Sequence, residues 1–334
     1  MNHVRTDAGA VAGPALPPEA EAELPDEPPA FPDAAAGRPA RFDRGVYFLI
    51  LLLGAMSALG PLAIDMYLPS FPAIAEGFGT TVAAVQRTLA AYFVGLALGQ
   101  LVYGPAADRF GRKPPLYVGL VIFVAASVGC ALAGNVGWLI AARFLQALGG
   151  CSAVVVARAV VRDRFDERDA ARVFSLLMLV LGVAPIVAPI LGGWFATHTG
   201  WRAIFWFLSG ASLLCLVAMA IALPESLPAA DRRRRSVGEI GGVYAMLLRD
   251  RTFMVHALAG SLASAAMFAY ISGSPFVFME LHGVSEERFG LFFGANALGL
   301  IVASQVNGAI ARRVHPRTSL RWGLAAAAAA GLAL

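Results

Sequence analysis

The sequence predicts an all-α integral membrane protein built from eight full spans and part of a ninth. Three observations carry that prediction. Hydrophobic residues make up 58% of the chain and charged residues only 14%, against a charged share of about 25% in soluble domains. The charges gather in connectors between apolar runs, as they must when hydrocarbon expels them. The runs approach or exceed the roughly 20 residues a helix needs to cross a bilayer.

Residues 1–41 are rich in Ala, Pro, Glu and Asp, carry no apolar periodicity, and are expected to form a disordered cytoplasmic tail. Their acidity argues against a transit peptide. The first span, residues 46–68, holds a single charge, Asp65, and is preceded by Arg41 and Arg44. The second, 82–103, ends at the turn Gly104-Pro105-Ala106-Ala107-Asp108-Arg109-Phe110-Gly111-Arg112-Lys113. The third, 116–133, is uncharged, and the fourth, 138–156, carries Arg143. The fifth, 173–197, is interrupted by Pro185 and Pro189 and ends at Gly192-Gly193. The sixth, 204–223, is again uncharged and completes a six-helix N-terminal bundle over residues 42–225.

A cytoplasmic loop follows at 226–252, in which Val237, Ile240, Val243, Met246 and Leu247 recur at helical spacing. That pattern predicts a short helix lying on the membrane surface. Residues 253–334 form a partial second bundle, with spans at 253–278 and 289–310 and a last apolar run at 322–334. A run of that length rises only about 20 Å as a helix, short of a hydrocarbon core of roughly 30 Å. The sequence therefore reads as a truncated chain.

Charge placement orients the helices. Arg109, Arg112, Lys113, Arg158, Arg162, Arg164, Arg168, Arg172, Arg232–Arg235, Arg249 and Arg251 all fall in alternate connectors. The opposite connectors hold little more than Arg87, Arg202 and Arg288, beside Glu76, Glu280, Glu286 and Glu287. Basic residues are retained on the cytoplasmic side during insertion, which places the N-terminus inside, as in a bacterial inner membrane. The net charge of +4 is thus topogenic and implies no nucleic-acid partner. Cys130, Cys151 and Cys215 lie in apolar runs with no metal-ligand spacing. The five histidines are scattered, and no Ser/His/Asp arrangement stands out, so an enzyme is not expected.

Four motifs point further. The pattern Gly-x-x-x-Asp-Arg-x-Gly-Arg-Lys, with Gly104, Asp108, Arg109, Gly111, Arg112 and Lys113, resembles the gating loop between helices 2 and 3 of the major facilitator superfamily. Its glycines would let helices approach, and Asp108 would sit at a helix N-terminus and pair with a nearby Arg. Arg143-Phe-Leu-Gln146-Ala-Leu-Gly149 is similar to that superfamily's helix 4 pattern. Gly182, Pro185, Pro189, Gly192 and Gly193 resemble the kinked helix 5 motif of antiporters, with Ala188 replacing its glycine before proline. The run Asp65-Met66-Tyr67-Leu68-Pro69 resembles a signature of Bcr/CflA drug-efflux carriers. Gln100, Trp201–Trp206 and Leu-Pro-Glu-Ser at 223–226 agree with it.

The resemblance implies a major facilitator-like bundle that exports small amphipathic drugs in exchange for protons, with no cofactor beyond the coupling proton and a monomeric state. From the residues themselves, Asp65 is the one acid clearly within a span. Burial disfavours the charged form of such a carboxyl, so it can load and release a proton. Arg143, at comparable depth, would tune it. Tyr67, Gln100, Gln146 and Asn296 are candidates for the substrate cavity, with Tyr92, Phe93 and Gln305 behind them. The competing expectations are a metabolite carrier of the same superfamily and a non-transporting membrane fragment.

Overall fold

A computed structural model of the chain describes residues 44–232, 236–310, 314 and 316–333. The predicted tail, Arg41, the run 233–235, Arg312 and Arg313 lie outside the described residues. Eleven α-helices follow one another among those residues. The first seven are α1 (Arg44–Asp65), α2 (Phe71–Gly77), α3 (Val82–Phe110), α4 (Lys113–Ala131), α5 (Val136–Arg164), α6 (Glu167–His198) and α7 (Arg202–Ala222). After the loop come α8 (Val237–Arg249), α9 (Arg251–Pro275), α10 (Glu286–Ile310) and α11 (Pro316–Ala333).

Polar residues at the connectors start these helices by accepting orphan backbone N–H groups. Thr81 caps α3, Asn135 caps α5, Asp166 caps α6 and Asp250 caps α9. Ser236 and Glu239 form a reciprocal capping box on α8. Seven helical segments among the described residues are long and apolar enough to cross a membrane, from Arg44–Gly77 to Arg251–Leu281. The predicted eighth span folds as α10, which packs along α6. The last apolar run starts earlier than its composition suggested, because Pro316 opens α11 and gives it 18 residues.

Two boundaries differ from the sequence reading in ways that matter for the site. The first span continues past Asp65 through a short 3-10 turn, Leu68–Ser70, into α2. Pro69 and Pro72 fit there because each falls in the first turn of its helix, where no donor is needed. The polar turn after the second span is itself helical as far as Phe110, leaving only Gly111 and Arg112 as connector. Pro105 sits inside α3 and leaves the carbonyl of Leu101 without its helical donor. The hydroxyl of Tyr244 on α8 donates to that carbonyl at 2.8 Å, which fastens the surface helix to the bundle.

α5 packs against both α3 and α4, and α1 packs against α5, α6 and α7. Leu53, Met56, Phe71, Phe123 and Phe205 are fully buried between them. The outward faces carry apolar side chains such as Leu214 and Ile221, at 70% and 82% exposure, as suits helices solvated by lipid. α6 links the two parts of the chain. A side chain at Gly192 would collide with the Met66 backbone, and one at Gly193 would lie 2.7 Å from the Glu286 carbonyl oxygen. Only glycine permits both approaches.

Candidate functional site

A cavity of about 680 Å³ lies between the first bundle and α9–α10, well within the range of small-molecule pockets. α1 contributes Gly60, Pro61, Ile64 and Asp65, while α3 contributes Tyr92, Leu96 and Gln100. Across from them stand Phe268 and Tyr270 of α9 and Phe293 and Asn296 of α10. The Tyr270 and Phe293 rings stack at 5.7 Å. Phe268 is backed by Phe93 at 4.4 Å. Pro185 of α6 also lines the cavity beside Leu181, whose carbonyl has lost its helical donor to that proline. The charged groups on the wall are Asp65 and, on α5, Arg158. An apolar, aromatic wall carrying a few polar groups suits an amphipathic solute.

Arg143 stands behind this wall, not in it. It is fully buried, and its guanidinium carbon lies 4.3 Å from the Tyr92 ring centroid, 4.6 Å from Tyr67 and 5.7 Å from Phe205. Desolvated cation–π contacts of this kind are worth about 2 kcal/mol or more. Nη1 donates to Gln146 Oε1 at 2.6 Å, Gln146 Nε2 donates to Ser127 Oγ at 2.8 Å, and Ser127 donates to the Phe123 carbonyl at 2.7 Å. Thr88 gives its proton to the Val85 carbonyl, so Tyr67 donates to Thr88 at 2.9 Å. Arg143 Nε and Nη2 find no partner. The ion pairs among the described residues are Arg112–Asp108, Arg112–Asp163 and Arg172–Asp169, so Asp65 and Arg143 are not in contact.

A second charged cluster closes the C-terminal end of α3 and the N-terminal end of α4. Arg112 donates through Nε and Nη2 to the two oxygens of Asp163, at 2.8 and 3.2 Å, and through Nη1 to Asp108 at 2.6 Å. Burial opposes the charge on Arg112, but the two carboxylates outweigh burial and hold it more firmly protonated. Ser226 donates to Asp163 at 3.0 Å. Glu225 accepts the backbone N–H groups of Arg112 and Lys113 at 2.8 and 3.1 Å, and so caps the N-terminus of α4. Burial alone would raise the Glu225 pKa. The N–H groups of Arg112, Leu227 and Lys113 and the charge of Arg232 bring it below its ordinary value instead. Gly111 adopts φ +94°, and a side chain there would lie 2.6 Å from Glu225 Oε2.

Several expected placements change with the fold. Asp108 lies in the last turn of α3, not at a helix N-terminus, because that helix runs on to Phe110. Glu225 takes the capping place instead. Gly104 has open space around it and allows no close approach, whereas Gly111 does. Arg109 and Lys113 point to the rings of Phe110 and Tyr117, at 5.5 and 5.7 Å. Of the helix 5 residues, Pro185 lines the cavity, Gly192 and Gly193 meet the turn after α1 and α10, and Gly182 packs on Ile301. Gln100 and Asn296 line the cavity, while Tyr67 and Gln146 belong to the cluster around Arg143.

Sequence reasoning missed Asp163, Arg158, Tyr270 and Phe293 as site residues and gave Glu225 no role. The only available signal was Glu225 in the Leu-Pro-Glu-Ser segment.

The family model of the Major Facilitator Superfamily matches residues 49–334. The chain is 42% identical over 278 residues to the "Uncharacterized MFS-type transporter YdgK" of Bacillus subtilis, covering 82% of this chain and 68% of that protein. It is 33% identical to the "Bicyclomycin resistance protein homolog" of Haemophilus influenzae, covering 84% of this chain and 71% of the relative. With the "Chloramphenicol resistance protein" of Pseudomonas aeruginosa the identity is 32%, covering 82% of this chain and 65% of the relative. Among solved structures, a bacterial homolog of the human lysosomal transporter Spinster superposes with a TM-score of 0.65 at 16% identity. That match covers 82% of this chain and 64% of the solved one, and it shows a common fold. The chain thus spans about two thirds of the length of these proteins. The family and these relatives are transporters, not enzymes.

Proposed function

The chain belongs to the major facilitator superfamily, and from that premise we propose that it exports small amphipathic, drug-like compounds in exchange for protons. The reading is that of a Bcr/CflA-type multidrug carrier, consistent with the bicyclomycin and chloramphenicol resistance proteins among its relatives. Its solute binds in the cavity between the two bundles, and alternating access moves one against the other around that site. The N-terminus faces the cytoplasm, and the proton is the only cofactor.

The observation that carries this reading is the position of Asp65, the one acid on the wall of a largely apolar cavity and only 4% exposed. A carboxyl there is desolvated when the cavity is closed and hydrated when it opens, so the side of the membrane it faces sets its protonation. Solute and proton then compete for one cavity, which is the elementary requirement of exchange. Asp65 is the protonation site and Arg143 tunes it from behind the wall.

The test is uptake of a fluorescent amphipathic drug into inverted vesicles containing the full chain, with an imposed proton gradient, lumen acidic. Asp65→Asn is expected to lose gradient-driven transport at least about tenfold, the loss typical of a removed proton-transfer group being 10²–10⁴. Undiminished, gradient-dependent uptake by Asp65→Asn would end this reading.

A further inference from the structure

The guanidinium of Arg143 is only half used. Nη1 is committed to Gln146, while Nε and Nη2 are buried and unpaired. These two N–H groups lie on one edge of the guanidinium, the edge that matches both oxygens of a carboxylate. The same protein shows what fills that edge. In Arg112, Nε and Nη2 grip Asp163 while Nη1 takes a separate acceptor. Buried donors without partners cost about 1–3 kcal/mol, and more when charged, so the empty edge of Arg143 is poised for an acid. Asp65 is the acid on the neighbouring cavity wall.

The groups packed on the guanidinium are aromatic. Two tyrosine rings lie against the guanidinium, and they are held unequally. Tyr67 is pinned by a 2.9 Å hydrogen bond to Thr88. The Tyr92 hydroxyl makes only a stretched 3.5 Å contact with the Gly60 carbonyl, where 2.7–2.8 Å is usual for such bonds. Tyr92 also reaches the cavity, whereas Tyr67 does not. It therefore touches the cation on one side and shares the wall with the acid on the other, and it feels the charge of both.

We propose that Tyr92 is a positioning residue that keeps the paired-donor edge of Arg143 from Asp65, and that its ring must swing aside for the carboxylate to reach those donors. In the present arrangement the shutter is closed, Asp65 faces the cavity and Arg143 is stabilised by rings. When the ring moves, the carboxylate exchanges its proton for a bidentate grip on Arg143. The inference rests on the proton-exchange reading above and adds a moving part to it. The titratable and charged groups facing Tyr92 are Arg143 and Cys151 of α5, Cys130 of α4 and Asp65 of α1. Arg158 and Tyr270 line the same cavity from α5 and α9, and α6 and α10 line it with no titratable group.

The experiment is an infrared titration of the Asp65 carboxyl in the full purified chain in lipid nanodiscs, its band identified by its loss in Asp65→Asn. No substrate is needed. Tyr92→Ala, which removes the shutter, is expected to lower the titration midpoint by about one pH unit, a tenfold change in proton affinity. Tyr92→Phe keeps the ring and is expected to keep the midpoint. The shift should vanish when Tyr92→Ala is combined with Arg143→Gln. Tyr92→Leu carries the same comparison if the alanine variant does not fold. An equal shift with and without Arg143, or no shift in the folded Tyr92→Ala or Tyr92→Leu chain, would overturn the shutter. Neither result touches the transport reading, which stands or falls on the vesicle assay with Asp65→Asn.

Discussion

Arg112 and Arg143 are each buried, and each spends Nη1 on one acceptor, but the rest of the guanidinium meets opposite surroundings. Where α3 meets α4, Asp163 fills the Nε–Nη2 edge of Arg112, with Asp108, Glu225 and Ser226 gathered about it. Behind the cavity, the same edge of Arg143 is empty and aromatic rings take the place of acids. A fully paired cation welds helices together. A half-paired one, buried beside a carboxyl that it does not touch, holds free energy that a second conformation can release. The contrast separates a fastening from a working part.

The widest gap between the two should appear in stability. Arg112→Met strips two carboxylates of their partner and is expected to cost about 3 kcal/mol, the lower end for breaking a buried pair. Arg143→Met removes a buried, half-paired charge along with its cation–π contacts, so gain and loss nearly cancel to within about 1 kcal/mol. Thermal unfolding of the two purified variants measures both. An Arg143→Met chain that unfolds at the lower temperature would reverse the comparison.

A smaller effect sharpens the Arg143 side of the comparison. Ser127→Ala leaves the Gln146 amide without an acceptor in a buried place, which should cost about 1–2 kcal/mol in the same unfolding experiment. If Gln146 mattered only as bulk, the change would be silent.

On the Arg112 side, pH provides the probe. The Glu225 carboxyl is held below its ordinary value of 4.5 in the folded protein, so folding favours its ionised form. Its contribution is therefore fully present above pH 4.5 and disappears as pH falls through the lower, folded value. Glu225→Gln is expected to lose about 0.5–1 kcal/mol at neutral pH. It should also lose the part of the acid-induced destabilisation that this carboxyl causes. Parallel acid unfolding curves for the two chains would remove Glu225 from the fastening. An effect of the same size belongs to Tyr244→Phe, which frees the Leu101 carbonyl. About 0.5–1 kcal/mol is expected, visible as faster amide exchange confined to α8.

These two clusters were unequally legible in the sequence. Asp108 and Arg112 are four residues apart, so their pairing could be anticipated from spacing alone. Asp163 and Glu225 join them across 51 and 113 residues, and no local pattern announces such partners. Arg143 and Gln146 were readable together because three residues separate them on one helix face. The rings around Arg143 come from the turn after α1, from α3 and from α7. Gln100 and Asn296 were found on the cavity wall because a polar residue inside an apolar run has few places to go. Tyr67 and Gln146 obey the same rule but satisfy it against neighbouring helices, so polarity alone could not tell lining from packing.

From its sequence alone, the chain determined that long apolar helices form, and which of them carry a charge among apolar residues. Those are properties of single segments, set by the transfer of side chains and backbone from water to lipid. Tertiary structure decided that Arg112 would be gripped by Asp163 while Arg143 would be faced with rings. That choice depends on which helix faces meet, and close packing at points such as Gly192 and Gly111 selects the meeting.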